Sequence, residues 1–317
     1  MKVLANDGIS KSGIEALEKA GIEVITTKVA QEQLINYINQ HKIDAVLVRS
    51  ATTVRKEVID SCQSIKLIGR GGVGMDNIDV AYAKEKGIHV INTPAASSAS
   101  VAELVFAHLF TGVRFLYDAN RMMPLDGDTK FNDLKKSYAK GIELRGKTIG
   151  IIGLGRIGQE VARIALGLGM NVLACDKYVK NAEITLEFFT GEKISLAIET
   201  IPFNEILKVS DFITLHVPAQ DGYVIGKKEI EQMKHGAAII NAARGGVLDE
   251  VALKEALDTG KLSFAGLDTF EEEPSPAIQV LMNPKISMSP HIGAATVEAQ
   301  ERIGIELAEK IITHFKI

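Results

Sequence analysis

The sequence predicts an α/β protein made of two doubly wound parallel-sheet domains, and three observations carry that expectation. Short β-type runs alternate with longer helix-type stretches from the N-terminus to Thr93, as a parallel sheet with crossover helices requires. The alternation breaks around Pro94 and begins again at Lys147. Between the two series lie one long apolar stretch and the polar segment from Asp126 to Lys140, where one domain gives way to the next.

In the first series the strand runs are VLAN, EVITT, AVLVRS, KLIGRGG and HVINT, and the helix runs are SKSGIEALEKAG, QEQLINYINQ, VRKEVIDSC and DVAYAKEKG. Ser97 or Ser98 can then cap a single long helix over SVAELVFAHLFTGVRFL, because a serine side chain accepts from the unpaired N–H groups of a first helical turn. The second series supplies strands at TIGIIG, NVLACD, DFITLHV, AAIINAA, FAGLDTF and ISMSP, with helices at VARIALGLG, EIEQMKHG and LKEALDTG. One segment departs from this alternation. EITLEFF and KISLAIET both alternate with period two and flank Thr190, Gly191 and Glu192, which reads as a hairpin inserted after the second strand. The closing stretch TVEAQERIGIELAEKIITHF is amphipathic and is expected to return to the first domain. The domains are therefore expected at 1–97 plus 292–317, discontinuous, and at 98–291.

The 317 residues, 46% hydrophobic, suffice for two cores. Lysine and arginine number 36 against 40 acidic residues, leaving a formal charge of -4, so no global field draws in nucleic acid or an anionic membrane. The N-terminus lacks the basic region and long apolar run of a secretory signal, and no segment is apolar for long enough to span a bilayer. Two cysteines, Cys62 and Cys175, are too few for a disulfide framework or a cysteine-based metal site. They are expected in the core of a cytoplasmic protein, with no metal.

The most informative local motif is TIGIIGLGRIGQEVARIA, in which Gly153, Gly155 and Gly158 form G-x-G-x-x-G directly after a strand and at the opening of a helix. In that context the first glycine permits a tight turn, the second lets backbone approach a pyrophosphate, and the third allows close helix packing. The helix N-terminus offers unpaired N–H groups to phosphates, with main-chain contacts expected from Arg156 and Ile157. Asp176 follows the next strand, where a carboxylate can accept both hydroxyls of an adenosine ribose and repel a 2′-phosphate. These features point to a Rossmann domain that binds NAD, although the adjacent Lys177 weakens the exclusion of NADP.

At this point the chain resembles the D-2-hydroxyacid dehydrogenase family over nearly its whole length, and most closely its phosphoglycerate dehydrogenase branch. The resemblance is carried by LVRSATTV, IGRGGVGMDNID, GKTIGIIGLGRIG, MKHGAAIINAARGGVLDE, AGLDTFEEEP and SPHIGAAT, in that order. It implies a flavodoxin-like substrate domain beside the Rossmann domain. It makes Arg244 the anchor of the substrate carboxylate, His291 the general acid/base and Glu273 the histidine's partner. The chemistry suits these types: a guanidinium fork matches a 2-keto acid's carboxylate and carbonyl oxygens, and reduction of a ketone needs a proton for the developing alkoxide. A glutamate on the other ring nitrogen would favour imidazolium. The resemblance further places His216, Val217, Pro218, Ala242, Ala243 and Gly293 along the cofactor cleft, and Asp268 near the nicotinamide carboxamide or in support of Arg244, with a purely structural role for Asp268 as the alternative. Taken singly, an arginine or a histidine is usually an ordinary surface or core group and EEEP an ordinary acidic loop; the joint placement of Arg244, Glu273 and His291 on matching strand ends of a cofactor-binding sheet reverses that reading.

For the substrate, Gly72, Val73 and Gly74 lie in GGVG, whose backbone N–H groups can form an anion-binding nest, and Arg49 and Arg70 end predicted strands facing the same crevice. In the phosphoglycerate branch arginines at these positions help hold substrate and phosphate; surface ion pairing is the alternative. Lys130, Lys135 and Lys136 are candidates for a phosphate contact from a neighbouring subunit, and relatives dimerise through the helix and arm around 98–145. The stretch after Pro218, AQDGYVIG, departs from the family pattern and leaves cofactor contacts from Gln220 to Tyr223 in doubt. No C-terminal serine-sensing domain is expected. The expected activity is NAD-dependent oxidation of a phosphorylated D-2-hydroxy acid. A glyoxylate or hydroxypyruvate reductase is the alternative within the class, and an NAD-sensing protein-binding scaffold, as in the family's transcriptional corepressors, the alternative outside it.

Overall fold

The computed structural model describes residues 1–316. The chain runs β1 (Lys2–Ala5), α1 (Lys11–Lys19), β2 (Glu23–Ile25), α2 (Leu34–His41), β3 (Ala45–Val48), α3 (Lys56–Ser61), β4 (Leu67–Arg70), α4 (Val80–Glu85) and β5 (His89–Asn92). It continues through α5 (Ser98–Val113), α6 (Leu116–Asp126), α7 (Phe131–Ser137), β6 (Thr148–Ile152), α8 (Arg156–Gly167), β7 (Asn171–Cys175), β8 (Asn181–Glu187) and β9 (Lys193–Glu199). The remainder is α9 (Phe203–Val209), β10 (Phe212–Leu215), α10 (Lys227–Gln232), β11 (Ala237–Asn241), α11 (Glu250–Thr259), β12 (Leu262–Leu267), α12 (Ile278–Leu281), β13 (Ile286–Met288) and α13 (Val297–Phe315).

Two compact units result, Met1–Ser100 with Ala294–Ile317, and Val101–Gly293. The divide falls three residues inside α5, where no composition shift marks it.

The first unit holds a parallel sheet in the order β2-β1-β3-β4-β5, the flavodoxin-like arrangement. Successive residues of its strands feed opposite faces. Leu4, Val46 and Ile68 pack into one cluster, while Val3, Ala5, Ala45, Leu47 and Leu67 pack into the other. The second cluster is closed by Ile303, Leu307, Ala308 and Ile311 of α13, so the C-terminal helix completes the N-terminal sheet. Thr296 caps α13 by accepting from Ala299 N–H. Close approach of α13 to α1 is set by two glycines: a Cβ on Gly13 would lie 2.8 Å from the Gly304 carbonyl carbon.

In the second unit six parallel strands follow the order β13-β12-β11-β10-β6-β7. Every residue of β10 and β11 is buried, as expected of a sheet covered on both faces. Ile239 joins the cluster under α11, whereas Ala238 and Ile240 join the one formed with α5 and α8. The chain winds from β6 to β7 on one side, then crosses to β10 on the other. The carboxyl ends of β6 and β10 therefore flank the topological switch point, where such sheets bind ligands.

Three local differences from the sequence reading have physical causes. The apolar run from residue 100 to 116 is not one helix: α5 stops at Val113, whose carbonyl accepts from Ile142 N–H, and Phe115 adopts a left-handed conformation with φ 55° before α6 begins. The polar segment that follows contains α7. The hairpin pairs Asn181–Glu187 with Lys193–Glu199 antiparallel, and its strands stop short of Phe188 because the turn is closed by Phe188 N–H on the Glu192 carbonyl. Its inner residues Ile184 and Ile198 are buried, and Arg163 of α8 donates to the Thr185 carbonyl at 2.9 Å.

Among the described residues no single helix is long and apolar enough to cross a membrane. The bent pair α5 and α6, 56° apart, passes that test by composition, but Val101, Ala102, Val105, Phe106 and Leu109 of α5 are core residues.

Candidate active site

The glycine loop after β6 has the local geometry its sequence requires. Gly153 has φ 99°, and a side chain there would overlap the His216 carbonyl; one on Gly158 would overlap the Gly153 carbonyl. Around Gly155, by contrast, nothing lies within 4 Å of the place a Cβ would take. That glycine borders a cleft of about 1060 Å³ lined also by Gly153, Asp176, His216, Val217 and Pro218. No side chain caps the first turn of α8, so its N–H groups face ligand or solvent.

His216 adds a second sign of an absent partner. It is partly buried in the cleft wall, its Nε2 lies 2.9 Å from Thr214 Oγ1, and its buried Nδ1 has no hydrogen-bond partner among the described residues. Burial pushes its pKa down to about 3, so the ring is neutral. A dinucleotide fits this set: an open glycine and free helix N–H groups for the pyrophosphate, a carboxylate for the ribose, and one unsatisfied ring nitrogen in the wall.

Asp176 differs in detail from the sequence reading. Its Oδ2 accepts from Leu154 N–H at 2.7 Å, and its Oδ1 accepts from the N–H groups of Tyr178 and Val179 at 2.7 and 2.9 Å. Partial burial opposes the charge, but these three donors and nearby Lys180 outweigh it and hold the carboxyl below the usual carboxylate range. Of about four acceptor positions on a carboxylate, roughly one stays open, enough for one ribose hydroxyl and not for the expected pair.

Other placements also depart from expectation. Gln220 and Tyr223, left in doubt by the sequence, line the cleft, as do Thr200, Ile201, Pro202 and Phe203, which no motif marked. Cys175 is a wall residue and not core, with its thiol pushed up to about 11 by burial and by Asp176. Arg156 and Ile157 are outside that wall, and so are the buried Ala242 and Ala243.

The second group forms at the carboxyl ends of three consecutive strands. Arg244 follows β11, Asp268 follows β12 and His291 follows β13; at roughly 4.8 Å per strand, β11 and β13 are about 10 Å apart. Asn241 shapes the first loop: its Nδ2 donates to the Arg244 carbonyl at 2.8 Å and its Oδ1 accepts from Ala243 N–H at 3.1 Å. Arg244 Nη1 donates to the Ala243 carbonyl at 2.6 Å. Gly245 lets this loop lie against the next one, because a side chain there would overlap the Phe270 carbonyl.

In that next loop Glu273 is fixed from both ends. Its Oε1 accepts from Phe270 N–H at 3.0 Å, and its Oε2 meets His291 Nδ1 at 2.8 Å. An ionised carboxylate only accepts, so Nδ1 carries the hydrogen and Nε2 is left to exchange a proton with a ligand. Glu250 and Glu271 brace the same loop by exchanging backbone-to-carboxylate bonds at 2.9 and 2.8 Å, with the Glu250 carboxyl pushed up by burial and by the surrounding acids.

The His291 loop is tied from behind by Asp268, which is 1% exposed. Its Oδ1 accepts from Ser289 Oγ at 2.6 Å and Ile292 N–H at 2.8 Å, and its Oδ2 accepts from Gly293 N–H at 2.8 Å. Those bonds bracket His291, which has φ 53°, a conformation few non-glycine residues adopt. Asp268 is thus a loop tether, a form of the structural role that the sequence leaves open beside the cofactor and Arg244. Asn241 and Ser289 went unmarked too, since a side chain bonding its own loop leaves no spacing signal.

In the first unit, Arg49 and Arg70 follow or end the neighbouring strands β3 and β4. Asp7 accepts from the N–H groups of Arg49 and Thr52, and Asn77 donates to the carbonyls of both. The Arg70 guanidinium folds over its own loop, donating to the Gly71 carbonyl at 3.2 Å, and a side chain on Gly72, at φ 145°, would collide with it. Gly71 and Gly72 use their N–H groups on the carbonyls of Val48 and Arg70. Those of Val73 and Gly74 have no acceptor among the described residues of that unit, and these two are the candidate nest. Lys130 pairs with Asp126 at 3.1 Å within its own arm, while Lys135 and Lys136 are exposed on α7.

Residues 106–293 match the family described as D-isomer specific 2-hydroxyacid dehydrogenase, NAD binding domain. Over 314 residues the chain is 41% identical to the D-3-phosphoglycerate dehydrogenase of Methanocaldococcus jannaschii, covering 98% of this chain and 57% of that one, so it spans little more than half the length of such relatives. The hydroxypyruvate reductase of Thermotoga maritima is 40% identical and covered over 99% of its length. Among solved structures, NAD⁺-bound 3-phosphoglycerate dehydrogenase of Entamoeba histolytica superimposes with a TM-score of 0.77 at 26% identity, covering 100% of this chain and 95% of that one. The motif loop, the strand-end residues and these similarities agree: the chain belongs to the D-isomer specific 2-hydroxyacid dehydrogenase family.

Proposed function

We propose that the protein is an NAD-dependent dehydrogenase that oxidises D-3-phosphoglycerate to 3-phosphohydroxypyruvate, the entry step of serine synthesis. The observation that carries this reading is the His291–Glu273 pair, 2.8 Å apart at the carboxyl edge of the sheet, with Arg244 two strands away. Bound NAD supplies the two-electron acceptor. Arg244 holds the substrate carboxylate with its planar fork, and Nε2 of His291 takes the proton of the C2 hydroxyl as electrons leave the C2–H bond. Glu273 stabilises the imidazolium so formed, and in the reverse direction His291 returns that proton to the alkoxide. Gly153, Gly155, Gly158 and the α8 N-terminus cradle the pyrophosphate, Asp176 accepts from the ribose, and Asp268 and Gly293 keep the His291 loop in place.

A second reading within the class, a glyoxylate or hydroxypyruvate reductase, is supported by one comparison: the Thermotoga hydroxypyruvate reductase is 40% identical over this chain, next to 41% for the Methanocaldococcus phosphoglycerate dehydrogenase. The two readings differ in the need for phosphate, and Arg49 with Arg70 supplies the charge for it. Arg49→Ala is expected to lower kcat/KM for phosphohydroxypyruvate by about 10- to 100-fold, the scale of lost charged hydrogen bonds, while sparing hydroxypyruvate. Equal loss on both substrates in parallel NADH-oxidation assays would remove the phosphate site and leave the reductase.

The assembly we propose is a cytoplasmic homodimer through α5 to α7. Helix α6 buries none of its residues yet exposes Leu116, Met123 and Leu125, the last at 71%, and Phe131 of α7 is exposed beside it. An isolated helix of this length is marginal in water, so a covering partner accounts for it. Sedimentation should show a dimer that Leu125→Asp with Phe131→Asp converts to monomer; a monomeric parent would discard the arm as an interface.

A further inference from the structure

Behind the His291 loop a buried row of side chains runs from α5 to Asp268. His108 Nδ1 lies 2.8 Å from Ser287 Oγ and its Nε2 3.0 Å from Ser289 Oγ, whose hydroxyl reaches Asp268 Oδ1 at 2.6 Å. His108 is 4% exposed, and its helix is otherwise aliphatic on that side, with Val101, Val105 and Leu109 buried around it. Position 266 leaves room for the ring, since a Cβ on Gly266 would sit 2.7 Å from His108 Cβ. Burying an imidazole in such surroundings is unfavourable unless both nitrogens find partners, and here both do.

The hydrogens of this row can be assigned by elimination. Asp268 as a carboxylate only accepts, so the Ser289 hydrogen points at it. The Ser289 oxygen then accepts from His108 Nε2–H, and the bare Nδ1 accepts from the Ser287 hydroxyl. Burial pushes the ring below the usual imidazole range, against a smaller opposite pull from Asp268, which agrees with this neutral Nε2–H form. Every donor in the row points toward Asp268, and Asp268 in turn receives the N–H groups on the C-terminal side of His291.

We propose that His108 is a positioning residue for the proton-transfer loop: through Ser289 and Asp268 it holds Ile292 and Gly293, and so keeps the His291 ring where Glu273 and substrate meet it. The inference rests on the reading of His291 as acid/base, but its structural half can be tested apart from turnover. Glutamine can place an amide N–H where Nε2 stands, asparagine reaches only the Nδ1 position, and leucine reaches neither.

In the 317-residue chain, His108→Leu and His108→Asn are expected to speed amide hydrogen exchange at Ile292 and Gly293 and to lower kcat by about tenfold, the scale of one net hydrogen bond, with the KM for keto acid and NADH binding little changed. His108→Gln should restore both readouts toward the parent. A purely structural histidine would instead lower thermal stability and raise exchange along α5, with no difference between glutamine and asparagine. Unchanged exchange at Ile292 and Gly293 in His108→Asn, or a glutamine variant as impaired as the asparagine one, would overturn the proposal. If the parent turns over no 2-keto acid, the acid/base reading falls, and the exchange comparison still decides whether His108 governs the loop.

Discussion

His291→Ala is expected to bind NADH as the parent does and to reduce 2-keto acids about 10²- to 10⁴-fold more slowly, the usual consequence of losing a positioned acid/base. The site geometry explains why no neighbour should substitute. Glu273 faces Nδ1 and not the ligand side of the ring, and its other oxygen is held by Phe270 N–H. Asp268 already receives three hydrogen bonds and is almost fully buried, so it cannot reach out to replace the imidazole. The cofactor-binding features, Gly155 and the α8 N-terminus, belong to a different strand end, which is why NADH affinity should survive. NADH fluorescence titration and steady-state turnover check the two halves separately. Turnover close to the parent's would move the proton donor elsewhere, and lost NADH binding would make the loop part of the cofactor site.

The parts of this chain that were legible in its sequence are those whose physics is local. Gly153, Gly155 and Gly158 fall within six positions, and each must lack a side chain for its own reason, so the loop announces itself. The β8–β9 hairpin was readable because period two on both sides of Gly191 has no helical counterpart. Helix α5 was misread as longer for the opposite reason: the apolar pattern runs on unbroken while the chain turns at Phe115, a residue with no special freedom to do so. His291 and Glu273 are eighteen positions apart, and only the resemblance to known dehydrogenases joined them. His108 and Ser289 are 181 apart and joined by no motif, so their contact could come only from the folded chain. Asp176 shows a third case, a residue whose place after β7 sets it in the cleft wall but whose hydrogen-bonding capacity is largely taken up by backbone groups nearby in the fold.

Arg244 should be the least replaceable cation. Its loop is fixed on both sides, by Asn241 holding the Arg244 carbonyl and by Gly245 lying against Phe270, so the guanidinium starts from a rigid strand end. A carboxylate and its adjacent carbonyl offer two oxygens in a plane, which a fork of parallel N–H groups matches and an ammonium does not. Removing such a partner leaves a desolvated carboxylate unpaired, at about 2–4 kcal/mol, so kcat/KM should fall by roughly 30- to 1000-fold in Arg244→Ala. Lysine keeps the charge without the fork, and Arg244→Lys should regain no more than about tenfold of that loss, with KM and kcat both affected because the anchor also sets the angle at C2. A lysine variant with the parent's kcat/KM would mean that charge alone suffices and that the two-pronged fork is not what holds the carboxylate.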